Sequence, residues 1–237
     1  MIPATGHEGL YPGVVAATAT RRWGPGTSAL VRALIATTRP VTQVELAKLV
    51  GVSQPRVSQV LGRLTKSSAV TSTADGYVGR RKQLIDLYVE NHRPALVSAE
   101  VPWYSLRPMR EQVDTLFAHA TSTGTRVAVS ADLAPDLLAP WRHPTLTIVY
   151  ADDALDLAAA EFVRAEGRVD ATAIVRHTSD TTLLAAFEPW RRSVDGLPLA
   201  DPVQQIWDLH DLGGADRVEA ADRLMAAVLD GKLAVES

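Results

Sequence analysis

The chain has 237 residues, 46% of them apolar and 22% charged, which is the composition of a folded protein long enough for one large domain or two ordinary ones. It has no cysteine, so a disulfide scaffold, a Cys-ligated zinc site, an iron–sulfur cluster and a cysteine nucleophile are all excluded. The net charge of −3 hides a split: up to Leu96 twelve Lys and Arg stand against five Asp and Glu, and the remainder holds twelve against twenty-two, so +7 is followed by −10.

Such asymmetry is expected where one half meets a polyanion; the alternative is chance clustering on solvated faces. No apolar stretch approaches the ~18–20 residues a membrane span needs. Residues 1–10 lack a basic segment followed by an apolar one, so no secretory leader is expected, and a cytoplasmic location is.

Residues 1–22 are rich in Gly, Pro, Ala and Thr and read as an arm. Trp23, after Arg21 and Arg22, is expected to pack on the helices that follow. Ser28 is the expected cap of a first helix, with Leu30, Val31, Leu34 and Ile35 on one face, and Pro40 ends it. Thr42 and Glu45 fit a capping box at the start of a second helix, and Gly51 closes it. Ser53 caps a third, with Pro55 in its first turn and Val57, Val60, Leu61 and Leu64 as its apolar stripe. Ala69–Ser72 and Tyr77–Val78, joined by a turn containing Asp75-Gly76, predict a hairpin. Leu84–Asn91 is a closing helix, and Pro94 and Pro102 bracket a linker and an entry strand.

The second half mixes helices and strands. Helices are expected at Leu106–Ser122, Leu133–Leu138, Asp152–Ala165, Asp201 to Gly213, and Ala215–Leu229. Strands are expected at Arg126–Ser130, Thr145–Tyr150, Ala171–Val175 and Thr182–Ala185.

The segment Gln43–Leu64 carries the strongest functional signal. Ala47 is a small residue that lets a second helix approach, Gly51 makes the turn, and Val57 and Val60 pin the crossing. That is the packing logic of a helix-turn-helix; an ordinary αα-hairpin is the alternative. On the outer face of the third helix lie Pro55, Gln59 and Lys66, flanked by Ser53, Gln54, Arg56, Ser58 and Arg63, with no Asp or Glu. Gln and Arg make bidentate contacts with adenine and guanine edges in the major groove, while Arg63 and Lys66 suit phosphate. A hairpin after a helix-turn-helix makes a winged helix, and Tyr77, Arg80, Arg81 and Lys82 suit contacts with the DNA backbone.

The N-terminal third resembles the winged-helix domains of bacterial transcription factors. The remainder resembles the AbiEi-type antitoxins of type IV toxin–antitoxin systems. That likeness is carried by Val127-Ala128-Val129-Ser130-Ala131, Leu146-Thr147-Ile148-Val149-Tyr150 and Leu199-Ala200-Asp201-Pro202-Val203-Gln204-Gln205-Ile206-Trp207-Asp208-Leu209. The resemblance implies an α+β chain in three parts: an arm over 1–22, a winged helix-turn-helix over 23–95, and over 96–237 a small α/β domain like a minimal, degenerate nucleotidyltransferase. It implies binding to repeats in the chain's own promoter and autorepression. It also implies a nucleotidyltransferase-like toxin encoded nearby, which antitoxins of this type are not thought to bind.

An active nucleotidyltransferase needs a Gly-Ser turn for the triphosphate and an Asp-x-Asp on the next strand for divalent metal. Here the turn reads Ser130-Ala131 and the strand Thr145-Leu146-Thr147-Ile148, with no carboxylate. Asp152 and Asp153, at the strand end, are the only candidates for a displaced metal pair, with capping of the next helix as the alternative; His177 near Asp180 is a candidate base and orienter, with an ordinary surface histidine as the alternative. The expectation is a regulator with no catalytic residue and no cofactor. A nucleotide-dependent enzyme and a small-molecule-sensing regulator are the alternatives.

Overall fold

The computed structural model describes residues 23–93, 100–141, 143–185, 187–190 and 192–233. The expected arm therefore lies outside the described residues, as does most of the linker. The architecture is mixed α+β.

The first part comprises α1 (Pro25–Ala36), α2 (Gln43–Val50), α3 (Gln54–Lys66), β1 (Val70–Thr73), β2 (Gly76–Gly79) and α4 (Arg81–Asn91). α1 starts earlier than Ser28: Gly24 is its N-cap and Pro25 opens it. A proline suits a first turn because its fixed φ is helical and its missing N–H is not needed there. Ser28 sits buried one turn in, its Oγ 3.0 Å from His92 Nδ1. Every residue of α1 from Thr27 to Ala36 is buried, so this helix is the axis around which the module packs.

The local signals around α2 are realised. Glu45 N–H donates to Thr42 Oγ1 at 3.2 Å, and Thr42 N–H to Glu45 Oε2 at 2.7 Å. That backbone bond, with Arg39, draws the Glu45 carboxyl down to about 2. Gly51 takes φ 74°, and its N–H and that of Val52 both donate to Ala47 O. In the hairpin Ser72 faces Tyr77 and Thr73 faces Gly76, and Val41 joins as a third, single-residue strand against Tyr77. Gly76 has φ 135°, and a Cβ there would lie 2.7 Å from Val41 O, so the approach of Val41 to the hairpin requires glycine. Trp23 packs edge-on against Tyr88, 6.4 Å between ring centroids.

The second part is a five-stranded sheet: β3 (Glu100–Tyr104), β4 (Val127–Val129), β5 (Thr147–Ala151), β6 (Val163–Arg164) and β7 (Ala173–His177), in the order β4-β5-β7-β3-β6. The β5–β7 pair is parallel, with Ile148 against Ile174, and the other pairs are antiparallel. A small hairpin, β8 (Ser193–Val194) and β9 (Leu197–Pro198), lies beside β4. Both faces of the sheet are covered. Ala128, Ile148, Tyr150 and Ile174 face α7 (Pro202–Leu212) and α8 (Ala215–Leu229). Val127, Val149, Ala151, Ala173 and Val175 face the side of α5 (Met109–Thr123). Burial on both faces accounts for the absence of apolar–polar alternation in β5, every residue of which is buried. A short helix, α6 (Leu133–Leu138), follows β4.

Three expectations fail here. Asp152–Ala165 is not a helix: it holds one 3-10 turn, Leu157–Ala160, and then β6. Asp156 caps that turn by accepting from Ala158 N–H at 3.0 Å, and Glu161 leaves it at φ 63°. The buried side chains Leu155, Leu157, Ala160 and Phe162 are spaced by two, three and two residues, which one helical face cannot present. Thr182–Ala185 is not a strand: Asp180 accepts from Thr182 N–H at 3.1 Å and winds Thr181–Leu183 into a 3-10 turn. A side-chain cap outweighs the β preference of two threonines. α5 begins at Met109, after Pro108, and leaves Leu106 outside it and 89% exposed. In α7 the expectation holds: Asp201 accepts from Val203 N–H at 2.9 Å and Pro202 opens the helix.

Candidate functional site

α3 has two opposed faces. Val57, Val60, Leu61 and Leu64 are buried against the module's core. Ser53, Gln54, Pro55, Ser58, Gln59, Gly62, Arg63 and Lys66 are exposed, and none of their side chains has a hydrogen-bond or ion-pair partner among the described residues. No Asp or Glu interrupts this face. It is a row of polar and cationic groups with no internal role.

Arg56 departs from the expected outward position. It is half-buried, and Nη2 donates to Thr27 Oγ1 at 2.7 Å. Residue 56 lies one turn before Val60, so its stem runs along the edge of the apolar stripe. The hairpin side changes more. Tyr77 is half-buried and its hydroxyl accepts from Gln43 Nε2 at 2.9 Å. Arg81 is half-buried, reaches Ala36 O at 3.3 Å, and burial draws its pKa below the usual guanidinium value. Lys82 pairs with Asp86 one turn on, at 2.6 Å. Arg80 is exposed and has no side-chain partner among the described residues. The turn of the hairpin carries Asp75 and no cation. Of four residues expected to line the wing, one is left with an unengaged charge.

Asp152 is not arranged with Asp153 as a metal pair. Its carboxylate accepts from Arg126 N and Nε at 2.8 and 2.7 Å, while Asp153 accepts from Ala154 N–H. Among the described residues no group of three or more His, Asp or Glu side chains has a metal-binding arrangement. His177 Nε2 lies 3.1 Å from Asp152 O, and Asp180 instead bonds Arg32 and Thr182, so these two do not form a base with its orienter.

A second constellation went unread in the sequence, and it joins the two parts of the molecule. Arg32, in the middle of α1, is fully buried. Nη1 donates to Tyr88 Oη at 2.9 Å, Nη2 to Asp180 Oδ2 at 2.9 Å, and Nε lies 3.7 Å from Asp201 Oδ2. Tyr88 Oη donates to Gln204 Oε1 at 2.6 Å, and Gln204 Nε2 to Tyr150 Oη at 2.7 Å. Asp208 accepts from Tyr150, Ser130 and Arg176. The network thus runs from α1 through α4 to α7 and the sheet. Burial works against the Arg32 charge, but Tyr88, Asp180 and Asp201 outweigh it and raise its pKa. Burial pushes Asp201 up to about 6 despite Arg32. One signal was available: Gln204, Asp208 and Asp211 fall four and three residues apart on α7 and so share one polar stripe.

His92 closes this seam. Its ring stacks on Tyr88 at 4.7 Å and meets Trp207 edge-on at 4.8 Å, and burial pushes its pKa down to about 3. Its folded value lies below the ordinary 6.5, so its contribution is complete above pH 6.5 and is lost as pH falls toward 3. Asp201 has the opposite sign: its raised value gives a contribution complete below its ordinary 3.8 and lost as pH rises through about 6. Comparison of wild type with His92→Gln removes that opposing effect. Below pH 6.5 the wild type is expected to lose up to about 1.4 kcal/mol per pH unit more than the variant. Urea unfolding at stepped pH reads this difference. Parallel pH dependences would show that His92 is not held neutral.

No protein-family model, no curated protein and no solved structure matches the chain.

Proposed function

We propose that the chain is a sequence-specific DNA-binding regulator in which α1–α4 and the β1–β2 hairpin act as a winged helix and α3 enters the major groove. The outward face of α3 carries this reading: exposed Gln54, Ser58, Gln59, Arg63 and Lys66, with no carboxylate and no internal partner. A face kept only for solubility has no need to exclude negative charge, whereas one that meets phosphate does. The charge split supports the same assignment, because the net +7 lies in the part that holds α3. With Arg81 and Tyr77 engaged internally, Arg80 is the hairpin-side residue available to the DNA backbone. The resemblance to AbiEi-type antitoxins extends the reading to an autorepressor acting on promoter repeats, its second part a non-catalytic nucleotidyltransferase-like domain in a cytoplasmic protein. A cognate toxin would then be encoded nearby.

The test is a gel shift of the full chain on its own upstream DNA, over a salt series and with scrambled competitor. Nanomolar, competitor-resistant binding whose log affinity falls linearly with log salt is expected. Weak, sequence-indifferent binding overturns the reading. Within that assay, Gln59→Ala is expected to cost about 1–3 kcal/mol on the specific site and relax preference at one base pair. Arg63→Ala is expected to weaken all sequences alike and lower the salt slope by about one. If the two effects are exchanged, the assignment of reader and phosphate contact along α3 is reversed.

A further inference from the structure

The outward face of α3 holds one residue that its own helix does not favour. Gly62 lies in the helix interior, eight residues after the first and four before the last. Glycine there costs stability relative to alanine, because the unfolded chain has more freedom to lose. Glycines are retained in helices when another element packs too closely for a Cβ, or when the backbone needs a positive φ. Neither holds here. Gly62 is exposed, a Cβ built on it meets nothing within 4 Å, and it follows ordinary helical geometry. The fold itself therefore gives no reason for the missing side chain.

Its position supplies one. At about 100° per residue, Pro55 and Lys66 lie on the midline opposite Val57, Val60, Leu61 and Leu64, and Gly62 and Gln59 lie about 30° to either side of it. Ser58 lies one turn before Gly62, and Gln59 and Arg63 flank it on one side. Gly62 is thus the lowest point of the face whose neighbours carry the polar groups. On a convex helix entering a groove, the residues nearest the midline meet the DNA first, and the size of their side chains sets how deeply the flanking groups can reach.

We propose that Gly62 is the point of closest approach between α3 and duplex DNA, kept as glycine so that the helix backbone can seat against the groove and bring Gln59 and Arg63 within reach. This rests on the DNA-binding reading above. It adds a positioning residue whose role is to be absent as a side chain.

The test uses three forms of the full chain: wild type, Gly62→Ala and Gly62→Leu. Each is measured for thermal stability, hydrodynamic radius and affinity for a duplex carrying the chain's own upstream region. Alanine and leucine are both strong helix formers, so both are expected to raise Tm, Gly62→Ala by about 1–4 °C. Affinity is expected to move the other way, about tenfold weaker for alanine and weaker again for leucine, with the radius unchanged. The gradation matters. A glycine kept for helix flexibility predicts equal losses for alanine and leucine, whereas a steric limit predicts a loss that grows with volume. Equal losses, a fall in Tm for alanine, or a change in radius each overturn the proposal. Specific binding by the wild type with undiminished binding by both variants also overturns it and leaves the DNA-binding reading standing. A wild type that binds no sequence specifically removes both.

Discussion

Arg32→Ala is expected to destabilise the folded chain by about 3–5 kcal/mol. The arginine is fully buried and its charge faces two carboxylates, those of Asp180 and Asp201, the second of which is wholly enclosed. Removing the cation strands both, and takes from Tyr88 its donor and from Thr182 another. It also leaves a void at the centre of α1. Against a total stability of about 5–15 kcal/mol for an ordinary domain, this is a large fraction. The pair is also imperfect: Arg32 Nε and Asp201 Oδ2 face each other at 3.7 Å without a hydrogen bond. A buried ion pair of this kind stabilises little over an apolar replacement, yet costs much when only one partner is removed. Arg32→Met combined with Asp180→Asn and Asp201→Asn is therefore expected to recover much of the loss, since both carboxylates are then neutral and the asparagines can still accept from Thr182 and from Val203 N–H. Urea unfolding of the three proteins reads the pattern. A loss below about 1 kcal/mol for Arg32→Ala would mean that the seam between α1 and α7 does not contribute to holding the fold.

That seam marks the boundary of what could be read from the sequence. The capping box of α2, the left-handed Gly51, the Asp75-Gly76 turn and the Asp201-Pro202 start of α7 were all legible, because each is settled by residues within a few positions of one another. Ser28 was misread as a cap because its partner, His92, is 64 residues away. Arg56 was placed on the outer face because helical spacing alone does not show that Thr27 waits beside it. Arg81 and Tyr77 were read from charge and shape, and their backbone and side-chain partners lie on α1 and α2. The outer face of α3 was legible for the converse reason: most of its side chains have no distant partner to alter them. Arg32 and Asp180, 148 residues apart, are invisible to any local pattern. The polar stripe of α7 was written in plain spacing, but without the sheet beneath it nothing showed which helix face it occupied.

The far end of the same network sets the other large effect. Asp208 is fully buried on α7 and gathers four donors from four elements: Ser130 Oγ after β4, Tyr150 Oη on β5, Arg176 Nη1 on β7 and Gln204 Nε2 one turn back, at 2.5–3.1 Å. Burial raises its pKa, and Arg176 and the three hydrogen bonds oppose that rise. Asp208→Ala leaves these donors without a common acceptor in a space that water does not reach, and is expected to cost about 3–5 kcal/mol. Asp208→Asn separates charge from hydrogen bonding. Its oxygen can still accept from Tyr150, Gln204 and Arg176, and its amide can donate to Ser130 Oγ. Arg176 retains two other carboxylates, Glu100 at 3.0 Å and Asp211 at 2.6 Å. With a counter-charge still in place, the asparagine variant is expected to lose only about 1–2 kcal/mol. Chemical unfolding of both variants decides between the two roles. Equal losses would make the negative charge, rather than the shared acceptor, the feature that ties α7 to the sheet.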